Sequence, residues 1–113
     1  MTTIVIYKNN ENYVGFECYG HSGYGEYGND IVCASISTLV QSTAMGIKEV
    51  LKIDAKIKSD DKKGMFNILV SKDLNKRQTE DVNLLINTMR VAVIDLESQF
   101  PKNIKLEEKT YVY

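Results

Sequence analysis

Hydrophobic residues recur at two different periods along this chain, and the order of these periods limits the possible folds. Alternation typical of β-strands occurs in residues 3–8, 13–19, 53–59, 65–71 and 104–113. Apolar residues at helical spacing occur in residues 30–52 and 79–99. The predicted order is therefore ββαββαβ. The first two pairs of strands are joined by short polar turns, so both are expected to form hairpins.

The two helical segments are amphipathic, and each is expected to cover the sheet with one apolar stripe. Asn29 or Asp30 is predicted to cap the first helix, Glu80 and Asp81 suit the positive end of the second, and Pro101 stops it. The first stripe consists of Cys33, Ile36, Val40, Ala44, Ile47 and Leu51, and the second of Val82, Leu85, Ile86, Met89, Val93 and Leu96. We predict one α+β domain over residues 1–113, with an antiparallel or mixed sheet and both helices on one face.

Composition excludes several classes of protein. The chain has 113 residues, 43% hydrophobic and 26% charged, which is typical of a globular domain rather than a disordered one. The net charge is −1, with charges of both signs mixed along the chain, so direct nucleic-acid binding is not expected. The N-terminus lacks signal-peptide features, and no apolar run approaches the roughly 18 residues of a membrane span. We therefore expect a cytoplasmic protein.

The candidate functional residues lie between the second predicted strand and the start of the first predicted helix. Cys33 would be the third residue of that helix if Asp30 caps it. In a first turn, unpaired N–H groups and the helix dipole favour a reactive thiolate and could stabilise an oxyanion. The position of Cys33 on the apolar stripe is equally compatible with a buried structural cysteine.

His21 is the only histidine in the chain and lies twelve residues before Cys33. An imidazole within hydrogen-bond reach of a thiol makes a nucleophile and general-base pair suited to acyl transfer. A solvent-facing loop histidine is the alternative. Asp30 is a helix cap in the simplest interpretation, and it could also orient His21.

Other residues near this pair have weaker signals. Ser37 lies one turn beyond Cys33, where it could bond its own backbone or pack under the thiol. Cys18 shares a strand face with Val14 and Phe16 and is expected in the core. Glycines and tyrosines of the connecting loop could form a mobile substrate cleft or only shape the turn; they are Gly20, Gly23, Tyr24, Gly25, Tyr27 and Gly28.

The run GHSGYGEYGNDIVCASIS, residues 20–37, resembles the signature of the ribosomal-processing cysteine proteases called Prp. In that family Gly-His-Ala or Gly-His-Ser leads through a glycine-rich stretch to Gly-x-Asp-Ile-Val-Cys, followed by small residues and a serine. Ser22, Gly25 and Asn29 differ from the residues that are commoner in the family, but the Cys and His positions of the motif match. The length and the ββαββαβ order also agree with the family.

The resemblance implies a homodimeric cytoplasmic endopeptidase without a cofactor. Its substrate would be a bacterial large-subunit ribosomal protein precursor, cleaved after a pair of phenylalanines to remove a short N-terminal extension. His21 would take the general-base position and Cys33 that of the nucleophile, while Asp30 and Ser37 occupy supporting positions. The glycine-rich loop would then be expected to order when substrate binds and to complete the pair.

Two other classes of protein remain as alternatives. A metal-binding module could use Cys18, His21 and Cys33 with Asp30 or Glu26, although a structural zinc site requires four firm ligands. A non-enzymatic ribosome-associated factor would be expected to be more basic than this chain. Metal analysis would test the first alternative, and stoichiometric alkylation of Cys33 at neutral pH the second.

Overall fold

A computed structural model of the chain describes residues 1–20, 27–60 and 64–113, with the side chains of residues 27–30 excepted. Five strands and two helices follow one another in the predicted order ββαββαβ. The first half contains β1 (Thr2–Asn9), β2 (Asn12–Tyr19) and α1 (Tyr27–Met45), which continues into a π-helical segment (Gly46–Val50). The second half contains β3 (Ala55–Asp60), β4 (Met65–Val70), α2 (Lys76–Gln99) and β5 (Ile104–Thr110).

The strands form one mixed sheet in the order β3-β4-β2-β1-β5. The pairs β1–β2, β2–β4 and β3–β4 are antiparallel, whereas β1 and β5 are parallel. Asn10 has a φ of 56° in the tight turn between β1 and β2, a conformation that asparagine tolerates well. Both predicted hairpins are therefore confirmed, and the last strand joins the edge of the first hairpin.

A hydrophobic core lies between one face of the sheet and the two helices. The sheet contributes alternate residues from its strands, such as Ile4, Ile6, Phe16 and Ile68, all with no exposed surface. These residues belong to one cluster with the helical residues Val32, Ile36, Val40, Ala44, Ile47, Val82, Ile86, Met89 and Val93. The predicted α+β domain, with both helices on one face, is confirmed.

Both helices begin earlier than the sequence predicts. Since α1 begins at Tyr27, Asn29 and Asp30 lie inside it rather than at its cap, and Cys33 is its seventh residue. The prediction placed the start later because Gly28 has a low helix propensity, which tertiary contacts can override. Helix α2 begins at Lys76, where Asn75 and Gln78 form a capping box. Asp81 consequently lies in the second turn and pairs with Arg77 at 3.2 Å.

The segment Ile31–Val50 is long and apolar enough to cross a membrane by length and composition, with a mean hydropathy of 1.2. Polar residues interrupt it, so it does not stand out as an apolar run in the sequence. In the fold, its residues Val32, Ile36, Val40, Ala44 and Ile47 are each at most 2% exposed and lie in the core. This one-sided burial is typical of the core helix of a globular domain.

Candidate active site

The candidate site lies at one end of the strands, where β1 begins and β2 ends. The register pairs Thr3 with Tyr19 across these strands, and Cys18 with Phe66 near the start of β4. Ser59, near the end of β3, pairs with the same Phe66. The ends of four strands therefore lie side by side here. Residues from these strand ends and from α1 line one cavity.

This cavity has a volume of about 520 Å³, within the range common for ligand sites. One wall belongs to α1, and the other is built from the strand ends. Both apolar and polar residues line it. The apolar lining includes Ile36, Val40, Met65 and Phe66, and the polar lining includes Thr2, Ser37, Gln41 and Ser59. A cavity with this lining can accept an apolar side chain and still provide hydrogen bonds to a peptide backbone.

Cys33 lies in the α1 wall of the cavity and is half-buried. Its Sγ atom is 3.7 Å from the Oγ1 atom of Thr2, at the start of β1. Thr2 itself is only 5% exposed. The thiol is thus in contact with the cavity and with a hydroxyl group held by the sheet.

The placement of Cys33 in the first helical turn, predicted from sequence, is wrong. Residues in the second turn donate their N–H groups to carbonyls four residues earlier, so only preceding residues supply unpaired N–H groups. Within the described residues, the N–H group of Cys33 is therefore not one of the unpaired groups at the start of α1.

Cys18 is the second thiol of the cavity. It packs against the core on the face of Val14 and Phe16, as predicted from the alternation of β2. The structure adds that Cys18 lines the same cavity as Cys33, although no disulfide joins them. The pKa of Cys18 is raised to about 11, mainly by burial and further by Cys33 and Glu17. Cys18 is thus a thiol kept protonated beside a second thiol. The sequence suggested this proximity only through the metal-binding alternative.

Ser37 lies in the cavity wall one turn after Cys33 and is exposed. Its neighbours Ser35 and Thr38 donate their hydroxyls to the carbonyls of Ile31 and Ala34. In the part of the chain that the structure describes, the hydroxyl of Ser37 makes no such bond. It is therefore available to a molecule bound in the cavity.

Gly20 has a specific structural reason to be glycine. Its φ is +87°, and a Cβ atom at this position would lie 2.5 Å from the carbonyl oxygen of Met1. Any other residue would be strained here and would collide with the backbone. Gly20 thus holds the end of β2 against the start of β1, in addition to its predicted place in the loop.

The remaining predicted site residues are described in part or not at all. The backbone of Tyr27, Gly28 and Asp30 is helical, so the predicted loop is shorter than residues 20–28. His21, Gly23, Tyr24 and Gly25 lie outside the described residues, as does the side chain of Asp30. The pairing of His21 with Cys33 therefore stays a prediction.

Metal binding was the alternative use of these side chains. Over the described ranges, no group of three or more His, Cys, Asp and Glu side chains is arranged to hold a metal ion. Two of the ligands considered, His21 and Glu26, lie outside those ranges. The two thiols that are described do not by themselves make such a site.

Comparison with known sequences identifies relatives over most of the chain. A sequence model of the family described as cysteine protease Prp matches residues 1–105. A ribosomal processing cysteine protease Prp from Staphylococcus aureus is 34% identical over 90 residues, which are 80% of this chain and 81% of the relative. Its counterpart from Bacillus subtilis is 23% identical over 93 residues, covering 82% and 83% of the two chains.

Solved structures give the same result for the fold. The structure of Prp from S. aureus in complex with a substrate peptide has a TM-score of 0.83 and 29% identity, covering 96% of this chain and all of that one. A second structure of that protease, with a covalently linked product peptide, has a TM-score of 0.79. A protein from Streptococcus mutans, at 23% identity, shares the fold with a TM-score of 0.84 over 98% and 96% of the chains.

Proposed function

This chain belongs to the cysteine protease Prp family and is a protease of ribosomal protein processing, and from that premise we propose its substrate and catalytic residues. The proposed substrate is the precursor of a bacterial large-subunit ribosomal protein that carries a short N-terminal extension. The proposed catalytic pair is Cys33 and His21. The observation that carries this proposal is that Cys33 lines a cavity at the end of the strands. The signature run of residues 20–37 begins at the same place, directly after β2.

In the proposed mechanism, His21 takes the proton of the Cys33 thiol and the thiolate attacks the scissile carbonyl carbon. The tetrahedral intermediate collapses to a thioester, and the leaving amine receives the proton from His21. A water molecule, activated by the same imidazole, then hydrolyses the thioester and restores the thiol. The S. aureus relative that holds a covalently linked product peptide supports a covalent route of this kind.

The lining of the cavity supports a preference for a large apolar side chain. Ile36 and Val40 from α1 and Met65 and Phe66 from β4 line the cavity of about 520 Å³. An aromatic side chain placed here would be close to the thiol and would be removed from water. This agrees with cleavage after phenylalanine, which the family resemblance implies.

The position of Gly20 supports the assignment of His21 as the general base. Gly20 directly follows β2, at the end of the sheet that also holds Thr2 and Cys18, and its backbone approaches Met1 closely. His21 is the next residue in the sequence. Tyr19, the residue before Gly20, lines the cavity, so His21 follows a cavity residue by two positions.

Supporting roles are proposed for Ser37 and Asp30. The hydroxyl of Ser37 is exposed in the cavity wall, so it can donate to a carbonyl of the bound peptide or accept from one of its amides. Asp30 precedes Cys33 by three residues, on nearly the same helical face. A carboxylate there would favour the protonated form of a neighbouring imidazole.

Incubation with a peptide carrying the extended N-terminus of the ribosomal protein tests this function. Mass spectrometry should show one cut that releases the extension, by the parent protein and not by Cys33→Ala. A matched peptide with the two phenylalanines replaced by alanine should stay intact. Cleavage of both peptides at equal rates, or of neither, would contradict the proposed substrate.

We also propose that the protein acts as a cytoplasmic homodimer without direct nucleic-acid binding. Three large apolar side chains on α2 are exposed: Leu84 at 67%, Val91 at 55% and Ile94 at 43%. Such a stripe is suited to self-association. Light scattering should give the mass of two chains for the parent and of one for Val91→Glu; a monomeric parent would contradict this part of the proposal.

A further inference from the structure

The contact between Thr2 and Cys33 links two parts of the chain that are thirty-one residues apart. The Thr2 Oγ1 atom lies 3.7 Å from the Cys33 Sγ atom, within the distance of a hydrogen bond to sulfur. Either atom can act as the donor when the thiol is protonated. When the sulfur is a thiolate, only the hydroxyl can donate.

Three features hold the Thr2 hydroxyl in this position. The Thr2 N–H donates to the carbonyl of Asn103 at 2.7 Å, and Thr2 pairs with Ile104 in the parallel register of β1 and β5. The residue is 5% exposed, so water has little access to it. The branched Cβ atom also limits the number of side-chain rotamers. The hydroxyl is thus oriented by the sheet before any substrate binds.

We propose that Thr2 is a positioning residue for the nucleophile, whose hydroxyl donates to the Cys33 thiolate and holds the sulfur toward the cavity. This inference rests on the proposed role of Cys33. Thr2 acts through the sulfur and takes no part in bond breaking. Its position at the very start of β1, outside the signature run, gives no sign of this role in the sequence.

A donated hydrogen bond to an ionised group is among the stronger ones in proteins, particularly where water is excluded. Loss of the hydroxyl should therefore make the thiolate of Cys33 less available. We expect the midpoint of the pH profile of Cys33 alkylation to rise by about one unit in Thr2→Val, equivalent to a roughly tenfold smaller thiolate fraction below the midpoint.

The experiment measures the rate of Cys33 modification by iodoacetamide across pH, with peptide mass spectrometry to separate Cys33 from Cys18. Thr2→Val removes the hydroxyl while preserving the shape and the strand propensity of the residue. Thr2→Ser retains the hydroxyl and should keep the midpoint near that of the parent. Because Gly20 approaches the carbonyl of Met1, any affinity tag belongs at the C-terminus.

Thr3→Val is the matched control, since Thr3 lies next in the same strand and is also nearly buried, at 9% exposed. Its side chain points to the opposite face of the sheet, because successive strand residues alternate. It should leave the alkylation profile unchanged. Equal thermal stability of the three variants would show that differences in the profile are not caused by unfolding.

Peptide cleavage provides a second measurement that a purely structural role would not affect in the same way. Thr2→Val should lower kcat with little change in KM. Thr2→Ser, which retains the hydroxyl, should have a kcat near that of the parent. Unchanged alkylation and kcat in Thr2→Val would overturn the inference about Thr2. Full cleavage by Cys33→Ala would instead overturn the proposed nucleophile, so the two failures are distinguishable.

Discussion

Cys33 and Cys18 line the same cavity, but their surroundings differ. Cys18 is held protonated because burial and its neighbours raise its pKa to about 11. Cys33 is contacted by a hydroxyl group and is open to the cavity from the helix wall. A thiol must lose its proton to act as a nucleophile, so the two cysteines are not interchangeable.

Substitution of each cysteine separates these roles. Cys33→Ala and Cys33→Ser should lose cleavage by several orders of magnitude with the fold intact, because a serine hydroxyl is scarcely ionised at neutral pH. Cys18→Ser should keep activity, with at most a modest loss of unfolding free energy. Peptide cleavage and thermal melts measure both effects; full activity in Cys33→Ala would show that the wrong thiol was chosen.

His21→Ala tests the general base. Turnover should fall roughly 10²–10⁴-fold, since the imidazole would no longer take the proton of the thiol. The pH–rate profile of the parent should have an acidic limb that belongs to the Cys–His pair and not to either group alone. Activity of His21→Ala within about tenfold of the parent would exclude the dyad.

Gly20 gives a prediction about how the site is built. In Gly20→Ala, the new Cβ atom would collide with the carbonyl oxygen of Met1. The backbone would also have to keep a φ of +87°, which alanine disfavours. We expect a loss of about 1–3 kcal/mol in unfolding free energy together with weaker cleavage, because the strand ends beside Cys33 must shift. Gly46→Ala is the control, since its Cβ atom would meet only the flexible end of Leu85 at 3.1 Å. Equal unfolding curves for the two variants would contradict this explanation.

At the level of secondary-structure elements, α2 offers a test that is independent of catalysis. The Asn75 side chain accepts the N–H of Gln78 at 2.8 Å, and the Gln78 side chain accepts the N–H of Asn75 at 3.0 Å. Asn75→Ala should therefore lower the unfolding free energy by about 1 kcal/mol, measured by urea denaturation. Cleavage at a temperature well below unfolding should not change, because Asn75 does not line the cavity.

Asn87→Ala is the matched control for this prediction. Asn87 is exposed in the middle of α2, where its side chain accepts a hydrogen bond from Arg90. Alanine has the higher helix propensity, so stability should be equal or slightly greater. A loss in Asn87→Ala as large as that in Asn75→Ala would exclude the capping box as the cause.

The elements differ in how far the sequence alone could place them. The strand order and the apolar stripes were predictable, because periods of 2 and 3.6 residues are local signals. The start of α1 was not, since Gly28 disfavours the helix that the structure continues back to Tyr27. The contact of Thr2 with Cys33 was also beyond prediction. It depends on the register of β1 in the sheet and on how α1 packs against it, which no short window of residues contains.

At the scale of the whole molecule, burial raises the pKa of three hydroxyl or thiol groups among the described residues, which are Tyr7, Cys18 and Tyr113. The pKa of Tyr7 is raised from 10.0 to about 12, chiefly by burial and then by its hydrogen bond to Glu17. The pKa of Cys18 is raised to about 11. Tyr7 lies in the interior strand β1 and Cys18 lines the cavity, so deprotonation at alkaline pH affects both the sheet and the site.

These shifts predict how stability depends on alkaline pH. A group whose pKa is raised by folding stays protonated in the native state after it has ionised in the unfolded chain. The native state then binds more protons, so the unfolding free energy falls as pH rises. The contribution of Tyr7 is fully present below pH 10 and is lost as the pH passes through about 12.

Urea denaturation at steps between pH 8 and 12 should therefore give a falling unfolding free energy. In Tyr7→Phe, which cannot ionise, the value at neutral pH should be lower because the bond to Glu17 is lost, but the decline above pH 10 should be shallower. Cys18→Ala should flatten the earlier part of the decline, between about pH 9 and 11. Curves that fall in parallel for the parent and both variants would show that other groups control alkaline unfolding.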